Sequence, residues 1–261
     1  MKTIQEYLNS GAVDIAPLLS LALNKSNVEL ITHSDYRLTL MEKQKVESFI
    51  QQRMDGMPFS YISGIKGFYH LDFKVTPDTL IPRPETELLI DISLELFSKN
   101  QKCHVLDLGT GSGIIAITLA DIKPRWTLCA TDFSQAALRV AKINATTDIN
   151  FFQSSWFDAI TDKHFNLIIS NPPYIEDEDS YLDDLAHEPI SALTAGKDGL
   201  NDIRIIIDQA PKYLLKDGYL LLEHGHDQQA RIVELLSKNF TNIQTFKDYN
   251  SNDRAILAQV K

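Results

Sequence analysis

From Cys103 onwards, the chain alternates between apolar stretches of strand length and amphipathic stretches of helix length. This alternation predicts βα units, whose strands lie parallel in one sheet with helices on both faces. The SNDR connection between the last two strands is too short for a crossover, so one of them must run antiparallel. The pattern therefore predicts an α/β fold with a doubly wound, mostly parallel seven-stranded sheet. The strands are predicted at residues 103–109, 127–132, 149–153, 166–170, 218–225, 243–249 and 255–260, and the helices near 114–121, 134–145, 199–215 and 227–238.

The N-terminal part of the chain differs, because its apolar residues repeat at helical spacing in three segments and carry no catalytic pattern. Thr39, followed by Glu42, predicts a capping box at the start of the third segment. The stretch GFYHLDFKVT then alternates as a short hairpin does, and a further helix is predicted over 81–97. The predicted domains are a small helical domain (1–66), which could recognise a substrate or be only a structural cap, a β-hairpin linker (67–80) and a larger α/β domain (81–261).

The stretch FNLIISNPPYI, residues 165–175, predicts a buried strand that ends abruptly, because Pro172 and Pro173 cannot donate to a strand ladder. Asn171 comes directly after this strand, where ligands gather in open α/β sheets. Its side-chain oxygen and the Pro172 carbonyl can each accept a hydrogen bond from a planar NH₂ group. Tyr174 supplies an aromatic wall beside them. The simpler alternative is a strand followed by a proline-rich turn.

A glycine-rich loop, DLGTGSG at residues 107–113, follows the first predicted strand and opens a helix. Its glycines let a ligand approach the backbone and leave N–H groups free to bind it. The dinucleotide fingerprint G-x-G-x-x-G fails here, because Ile114 occupies the last glycine position. Asp132 ends the next strand and can accept both hydroxyls of a ribose, although capping of the helix near Ser134 is an alternative. We interpret the combination as a Rossmann-like nucleoside site.

Composition and charge exclude several classes of protein. A net charge of −10 and an isoelectric point near 5.1 argue against a broad phosphate-binding surface. The N-terminus lacks the pattern of a signal peptide, and no apolar run approaches the roughly 20 residues that span a bilayer. Cys103 and Cys129 have no metal-ligand spacing, and His224 and His226 lack further ligands nearby. We expect a cytoplasmic protein with reduced cysteines, no metal and no membrane association.

Short motifs carry a resemblance to a known family. The glycine-rich loop, Asp132 and NPPY after the fourth strand resemble the class I S-adenosylmethionine-dependent methyltransferases. NPPY itself is similar to the motif of enzymes that methylate exocyclic amines and amides. The full set resembles the HemK family of peptide-chain release factor glutamine methyltransferases, from about Pro58 to the C-terminus and more weakly over 1–57. The motifs are PFSYISG (58–64), TLIPRPETE (79–87), DLGTGSG (107–113), QSSWF (153–157), NPPYI (171–175), HEP (187–189), DGL (198–200) and LLLEHG (220–225).

The resemblance implies S-adenosyl-L-methionine as cofactor and S-adenosyl-L-homocysteine as product. The loop would hold the methionine end of the cofactor and Asp132 its ribose. Trp156 would lie near the adenine, although a role as a plain core aromatic is the alternative. The implied cofactor-binding residues are Gly109, Thr110, Gly111, Ser112, Gly113, Asp132, Trp156 and Asn171.

The resemblance also implies the reaction, which is methylation of the side-chain amide nitrogen of the Gly-Gly-Gln glutamine in class I release factors. This modification would modulate translation termination. Asn171, Pro172 and Tyr174 would be the catalytic residues, and together with Pro173 they would bind the amide. We expect a monomer whose helical domain recognises the release factor and which binds no nucleic acid.

Two other functions compete with this prediction. A nucleic-acid methyltransferase could use NPPY on the exocyclic amine of adenine or guanine, but the acidic charge and TLIPRPETE argue against it. A dinucleotide oxidoreductase or a non-catalytic nucleotide-binding domain is disfavoured by the missing glycine and by NPPY. Arg83 and Glu85 are expected to be structural or gating, because methyl transfer to nitrogen needs no arginine. The acidic run 176–184 is expected to be a solvated loop, with a lid or a contact for a basic protein as alternatives.

Overall fold

The computed structural model describes residues 2–98, 100–161 and 164–261, and its chain divides into two units, Met1–Ile65 and Lys66–Lys261. The first unit is helical. Its buried core includes Ile4, Tyr7, Leu19, Leu30 and Val46. Its helices are α1 (Ile4–Leu8), α2 (Ile15–Leu23), α3 (Asn27–Thr32), α4 (Leu40–Met54) and α5 (Phe59–Ser63).

Capping boxes begin three of these helices. Thr3, Ser26 and Thr39 each accept a hydrogen bond from the N–H three residues on, and a glutamate there bonds back to the cap N–H. The predicted capping box at Thr39 and Glu42 is thereby confirmed. The described residues form more helices than the three predicted segments, because helices of five or six residues are too short to show a helical period.

A two-stranded hairpin follows, formed by β1 (Ile65–Phe68) and β2 (Leu71–Lys74). Phe68 and Phe73 are buried and meet edge to face, with ring centroids 6.1 Å apart. The side chain of Asn144 brackets the end of β2, because it accepts from the Lys74 N–H at 2.8 Å and donates to the Lys74 carbonyl at 3.0 Å. These two hydrogen bonds join the hairpin to a helix of the second unit.

The second unit is built on a seven-stranded sheet. Its strands are β3 (His104–Leu108), β4 (Thr127–Asp132), β5 (Asn150–Gln153), β6 (Phe165–Ser170), β7 (Leu214–Glu223), β8 (Phe240–Lys247) and β9 (Asp253–Val260). Their order is β5-β4-β3-β6-β7-β9-β8, and β9 runs antiparallel to both of its neighbours. The predicted doubly wound, mostly parallel sheet with a terminal hairpin is confirmed. The chain reverses its direction of progress across the sheet between β3 and β6, the position at which α/β sheets bind ligands.

Helices cover both faces of this sheet. They are α6 (Glu87–Leu96), α7 (Ile114–Ile122), α8 (Gln135–Asn144), α9 (Asn201–Gln209) and α10 (Gln229–Leu236). On β6, Leu167 and Ile169 pack in one buried cluster with residues of α6 and α7, whereas Ile168 packs in another with residues of α9 and α10. Strand side chains alternate between faces, so a fully apolar strand feeds both cores.

Element ends differ from the predictions where proline intervenes. The helix predicted to reach residue 215 ends at Gln209, because Pro211 lacks an N–H and the chain forms a 3₁₀ turn there. Strand β7 consequently begins at Leu214 rather than at 218. The helix predicted from residue 81 begins with a 3₁₀ turn at Pro84–Thr86 before α6. In the described ranges, no helix combines the length and apolarity needed to cross a membrane.

Candidate active site

Two cavities open beyond the carboxyl ends of β3, β4 and β6. The first, here the loop cavity, is lined by the glycine-rich loop at 109–112, Asp132 and Trp156. The second, here the amide cavity, is lined by Pro172, Tyr174 and Glu223 among others. Asn171 lines both cavities. The predicted site residues therefore gather in two adjacent spaces that share one side chain.

The glycine-rich loop presents backbone to the loop cavity. Gly109 and Gly111 adopt left-handed conformations, with φ of 71° and 57°. A β-carbon at Gly111 would meet no atom within 4 Å, so the space beside it is open. Thr110 anchors the loop from below, because its hydroxyl donates to Asp107 at 2.6 Å and its N–H donates to the Thr131 carbonyl at 2.8 Å.

Gly113, predicted as a cofactor-binding residue, is not among the residues that line the loop cavity. It has φ of 89°, and a β-carbon there would lie 2.5 Å from the Cδ1 of Ile117 and 3.3 Å from the Cβ of Ala141. These contacts give Gly113 a packing role, since it lets α7 approach α8 closely. The neighbouring Ser112 is buried, lines the cavity, and accepts from Asn144 through its carbonyl at 2.9 Å.

Asp107 is a fully buried acid beneath the loop. Burial raises the pKa of its carboxyl to about 7, although hydrogen bonds from Thr110 and the Ala116 N–H act in the opposite direction. Its Oδ1 has no partner in the part of the chain that the structure describes. The loop is therefore supported by a carboxyl group that ionises close to neutral pH.

Asp132 lies at the end of β4 and lines the loop cavity. Its Oδ2 accepts from the Gly111 N–H and its Oδ1 from the Ser134 N–H, each at 2.8 Å. Burial raises the pKa of this carboxyl, and the two backbone hydrogen bonds lower it. Asp132 thus ties the loop to the start of α8 while keeping a face on the cavity, so ligand binding and helix support are compatible.

Trp156 also combines the two roles considered for it. It lines the loop cavity against Gly109, packs on the second hydrophobic cluster, and donates from Nε1 to Asp202 Oδ1 at 3.0 Å. Phe133, which no sequence motif identified, also lines this cavity and is 73% exposed. No sequence pattern marks it, because single exposed apolar side chains are common on protein surfaces.

Asn171 is oriented by a hydrogen bond from its amide nitrogen. Nδ2 donates to the Thr86 hydroxyl at 3.1 Å, whereas Oδ1 accepts from no donor in the described part of the chain. The Pro172 carbonyl likewise receives no hydrogen bond from the described residues. Two acceptors from the predicted NPPY motif are therefore unengaged beside the cavities. Pro173 lines the loop cavity, and Pro172 lines the amide cavity.

A hydrogen-bonded chain of side chains continues behind Asn171. The Thr86 hydroxyl donates to Glu223 Oε2 at 2.7 Å, and the Tyr174 hydroxyl donates to Glu223 Oε1 at 3.2 Å. Arg254 in turn donates from Nη1 to the Tyr174 oxygen at 3.4 Å. The motif pattern assigned no role to Thr86, Glu223 or Arg254. A glutamate at the end of the apolar run LLLEHG was the signal for a buried acid.

Arg83 belongs to both cavities and forms an ion pair with the buried Glu188 of HEP. Glu188 also accepts from the Ile81 N–H at 2.9 Å. This pair of contacts holds the PRPE segment to the HEP segment, which is a structural use of Arg83. Within the acidic run, Glu176 and Asp179 line the amide cavity.

No group of three or more potential metal-ligating side chains occurs within 2–98, 100–161 and 164–261. Cys103 and Cys129 form no disulfide in the part of the chain that the structure describes. His224 is buried, its Nδ1 lies 2.8 Å from the Gly225 carbonyl oxygen, and burial lowers the pKa of its ring.

Comparison with known proteins identifies the family. A model of the methyltransferase small domain matches residues 86–200, and a model of the PrmC N-terminal domain matches residues 4–64. The chain is 41% identical to the release factor glutamine methyltransferase of Coxiella burnetii, with 95% of this chain and 91% of the relative aligned. The chain belongs to the release factor glutamine methyltransferase family. A relative of the same description from Pseudomonas aeruginosa is also 41% identical, over 96% of this chain and 93% of its own length.

Structural comparison supports the fold independently of that sequence match. A methyltransferase from Pyrococcus furiosus superposes with a TM-score of 0.58 at 17% identity, covering 80% of this chain and 98% of its own. The predicted resemblance to the HemK family is confirmed, as is the Rossmann-like methyltransferase fold.

Proposed function

We propose that this protein transfers a methyl group from S-adenosyl-L-methionine to the side-chain amide nitrogen of a glutamine, the one in the Gly-Gly-Gln motif of class I release factors. Its relatives over nearly the whole chain are release factor glutamine methyltransferases. The observation that carries the proposal is the position of Asn171, which lines both cavities with its Oδ1 unengaged. A primary amide held there meets acceptors on one side and the loop cavity on the other.

The loop cavity fits the proposed cofactor in chemistry. An adenosine with a methionine tail needs hydrogen-bond acceptors for its ribose, aromatic surface for its base and backbone groups for its amino-acid end. Asp132 supplies the acceptor, while Trp156 and Phe133 supply aromatic surface. A side chain at Gly111 would occupy the open space beside the loop, and its φ of 57° disfavours one there.

The chain's own residues act by positioning and electrostatics. S-adenosyl-L-methionine supplies, when bound, a methyl group that is already activated by its sulfonium. An amide nitrogen is a weak nucleophile because its lone pair is delocalised into the carbonyl. Asn171 Oδ1 and the Pro172 carbonyl would each accept one hydrogen of the substrate NH₂. Such alignment is worth up to roughly 7–11 kcal/mol of the barrier at its favourable limit.

The same two acceptors stabilise the positive charge that the nitrogen gains during attack. No strong base is needed beforehand, since the proton can leave to water afterwards. Tyr174 would provide the wall for the planar amide, and Glu223 and Arg254 hold its hydroxyl. Catalysis in this proposal therefore depends on fixed acceptors.

The charge around the amide cavity favours a protein substrate over a nucleic acid. Glu85, Glu176 and Asp179 line it, and the whole chain carries a net charge of −10. Carboxylates so placed would repel a phosphate backbone, which must be neutralised by cations for tight binding.

We propose that the N-terminal helical unit recognises the release factor. A single glutamine side chain offers too little surface to select one protein, so contacts away from it are required. The unit exposes apolar side chains, with Val28 69% and Ile31 71% exposed on α3. Replacing both with serine should raise KM for an intact release factor and leave KM for a short Gly-Gly-Gln peptide unchanged. Ile143→Ser, which alters an exposed isoleucine of α8, is the matched control.

Mass spectrometry tests the proposed function directly. The protein is incubated with S-adenosyl-L-methionine and either a release factor or a Gly-Gly-Gln peptide, and fragmentation should locate one added methyl group on the glutamine. Methylation of DNA or RNA instead, with binding that falls steeply with salt, would establish the nucleic-acid alternative.

A further inference from the structure

The hydroxyl of Thr86 has a single hydrogen, and the structure directs it to Glu223 Oε2 at 2.7 Å. The Thr86 oxygen can then act only as an acceptor towards Asn171, whose amide lies 3.1 Å away. Asn171 must accordingly turn its NH₂ group towards Thr86. Its Oδ1 is left facing the cavities.

Glu223 fixes the direction of the whole chain of hydrogen bonds. It is 1% exposed, and in its ionised form it offers only acceptors, so both Thr86 and Tyr174 then donate to it. At the far end, Arg254 donates to the Tyr174 oxygen and to the His224 carbonyl, and it pairs with Asp248 at 3.3 Å. The ionised carboxylate, which only accepts, and the guanidinium, which only donates, thus set the polarity.

We propose that Glu223, acting through Thr86, is a positioning residue that keeps Asn171 Oδ1 towards the substrate and makes the site select an amide over a carboxylate. The inference rests on the proposed function, because it specifies how that site distinguishes glutamine from glutamate. An asparagine amide has nearly the same shape in its two flipped orientations, so only its hydrogen bonds decide between them. A flipped Asn171 would present its own NH₂ to the substrate NH₂, so that two donors would face each other. A substrate carboxylate, which accepts hydrogen bonds, would then bind better than an amide.

The test compares two peptides that differ only in the recognised side chain, one with Gly-Gly-Gln and one with Gly-Gly-Glu. Thr86→Val keeps the shape of the side chain and removes the hydroxyl that orients Asn171. We expect turnover of the glutamine peptide to fall, and the ratio of the two peptides' dissociation constants to shift towards glutamate by at least about tenfold, the scale of a lost polar contact. Thr86 also lines the loop cavity, so S-adenosyl-L-methionine binding is measured for each variant. It should change far less than the peptide ratio, because the glycine-rich loop and Asp132 are unaltered.

Two further variants separate orientation from stability. Thr86→Ser keeps the hydroxyl that Thr86→Val removes, so its turnover and selectivity should be restored to those of the wild type. Thr118→Val is the matched control, because Thr118 is buried in α7 and its hydroxyl has no partner among the described residues. It should leave both peptides' binding and turnover unchanged.

If Thr86→Val does not fold, Glu223→Gln replaces it. A glutamine can bond Thr86 in either direction, so this variant should bring the affinities for the two peptides towards equality.

The inference is overturned if Thr86→Val or Glu223→Gln folds, binds cofactor and keeps the wild-type preference for the glutamine peptide. It is also overturned if Thr86→Ser fails to restore that preference. Failure of the proposed function gives a different result: the wild-type protein itself would then leave the glutamine peptide unmethylated. The peptide-binding ratio is measured without turnover, so it remains informative in that case.

Discussion

The two cavities that meet at Asn171 are built in different ways. The loop cavity takes its shape from a contiguous backbone loop, residues 109–112, that follows β3 and is tied to the end of β4 by Asp132. The amide cavity depends on side chains from distant parts of the chain, since Thr86 and Glu223 are 137 residues apart and Tyr174 and Arg254 are 80 apart. Backbone groups have a fixed hydrogen-bonding polarity, whereas hydroxyls and amides take theirs from their neighbours.

Each cavity is also supported by one buried acid, and the two acids act differently. Asp107 lies beneath the loop with one unpartnered oxygen, while both oxygens of Glu223 accept hydrogen bonds. A substitution at Asp107 should therefore change the shape of the loop cavity. A substitution at Glu223 should change which hydrogen-bonding atoms the amide cavity presents to a ligand.

Asn171→Ala should have the largest effect, and it should fall on turnover. Loss of an acceptor that stabilises developing charge lowers kcat by about 10²–10³-fold. Cofactor affinity, measured by calorimetry, should change far less, because the loop and Asp132 are untouched. If turnover instead survives while cofactor binding is lost, then Asn171 belongs to the loop cavity alone.

Asp132→Ala should act mainly on cofactor affinity, in contrast to Asn171→Ala, which should act mainly on turnover. Each hydrogen bond to a charged acceptor is worth roughly 1.5–3 kcal/mol, so S-adenosyl-L-methionine binding should weaken by at least about tenfold. Calorimetry on the folded variant measures this change. An unaltered dissociation constant would mean that Asp132 does not bind the cofactor and only supports the backbone through its bonds to Gly111 and Ser134.

Glu223→Gln should change how stability depends on pH. Burial raises the pKa of Glu223 from 4.5 to about 7, with Glu85 adding to the rise and Thr86, Arg254 and Tyr174 opposing it. A raised pKa means that the folded state binds this proton more tightly. Its contribution to stability is therefore complete below about pH 4.5 and is lost as the pH rises through about 7.

Between pH 5 and pH 8 the free energy of unfolding should fall by roughly 2–3 kcal/mol less in Glu223→Gln than in wild type. Denaturant titrations at the two pH values measure the difference. Asp107→Asn is the companion variant from the loop cavity, because burial raises that pKa to about 7 as well. A pH dependence unchanged by Glu223→Gln would mean that the pKa of Glu223 does not differ between the folded and unfolded states.

Gly111→Ala should weaken cofactor binding with a smaller effect on stability. A β-carbon at a left-handed position costs about 1–2 kcal/mol. Gly64→Ala is the control, since Gly64 has φ of 71° and open space around it but lines neither cavity. Both variants should lose similar stability in thermal unfolding, and Gly111→Ala alone should lose cofactor affinity. Equal affinities in the two would remove Gly111 from the cofactor site.

Several features of the fold followed from local pattern. The apolar runs that became β3, β4 and β6 could be recognised because a strand buried on both faces is apolar throughout. The glycine-rich loop and NPPY follow β3 and β6, so their meeting was predictable from the topology of parallel sheets. The ends of α9 and β7 were predicted less well, because the effect of Pro211 outweighs the apolar period that continues past it.

The sequence alone thus located the candidate site, whereas tertiary structure decided which atoms it presents. NPPY and the loop could be read locally, because turn chemistry and strand ends depend on neighbouring residues. The direction in which Asn171 points its amide depends on Thr86, 85 residues away, and through it on Glu223. The same holds for Gly199, whose missing β-carbon leaves room for the Tyr174 carbonyl, 2.2 Å from where that carbon would lie. Hydrogen-bond polarity and close packing are properties of groups brought together by folding, and no local pattern records them.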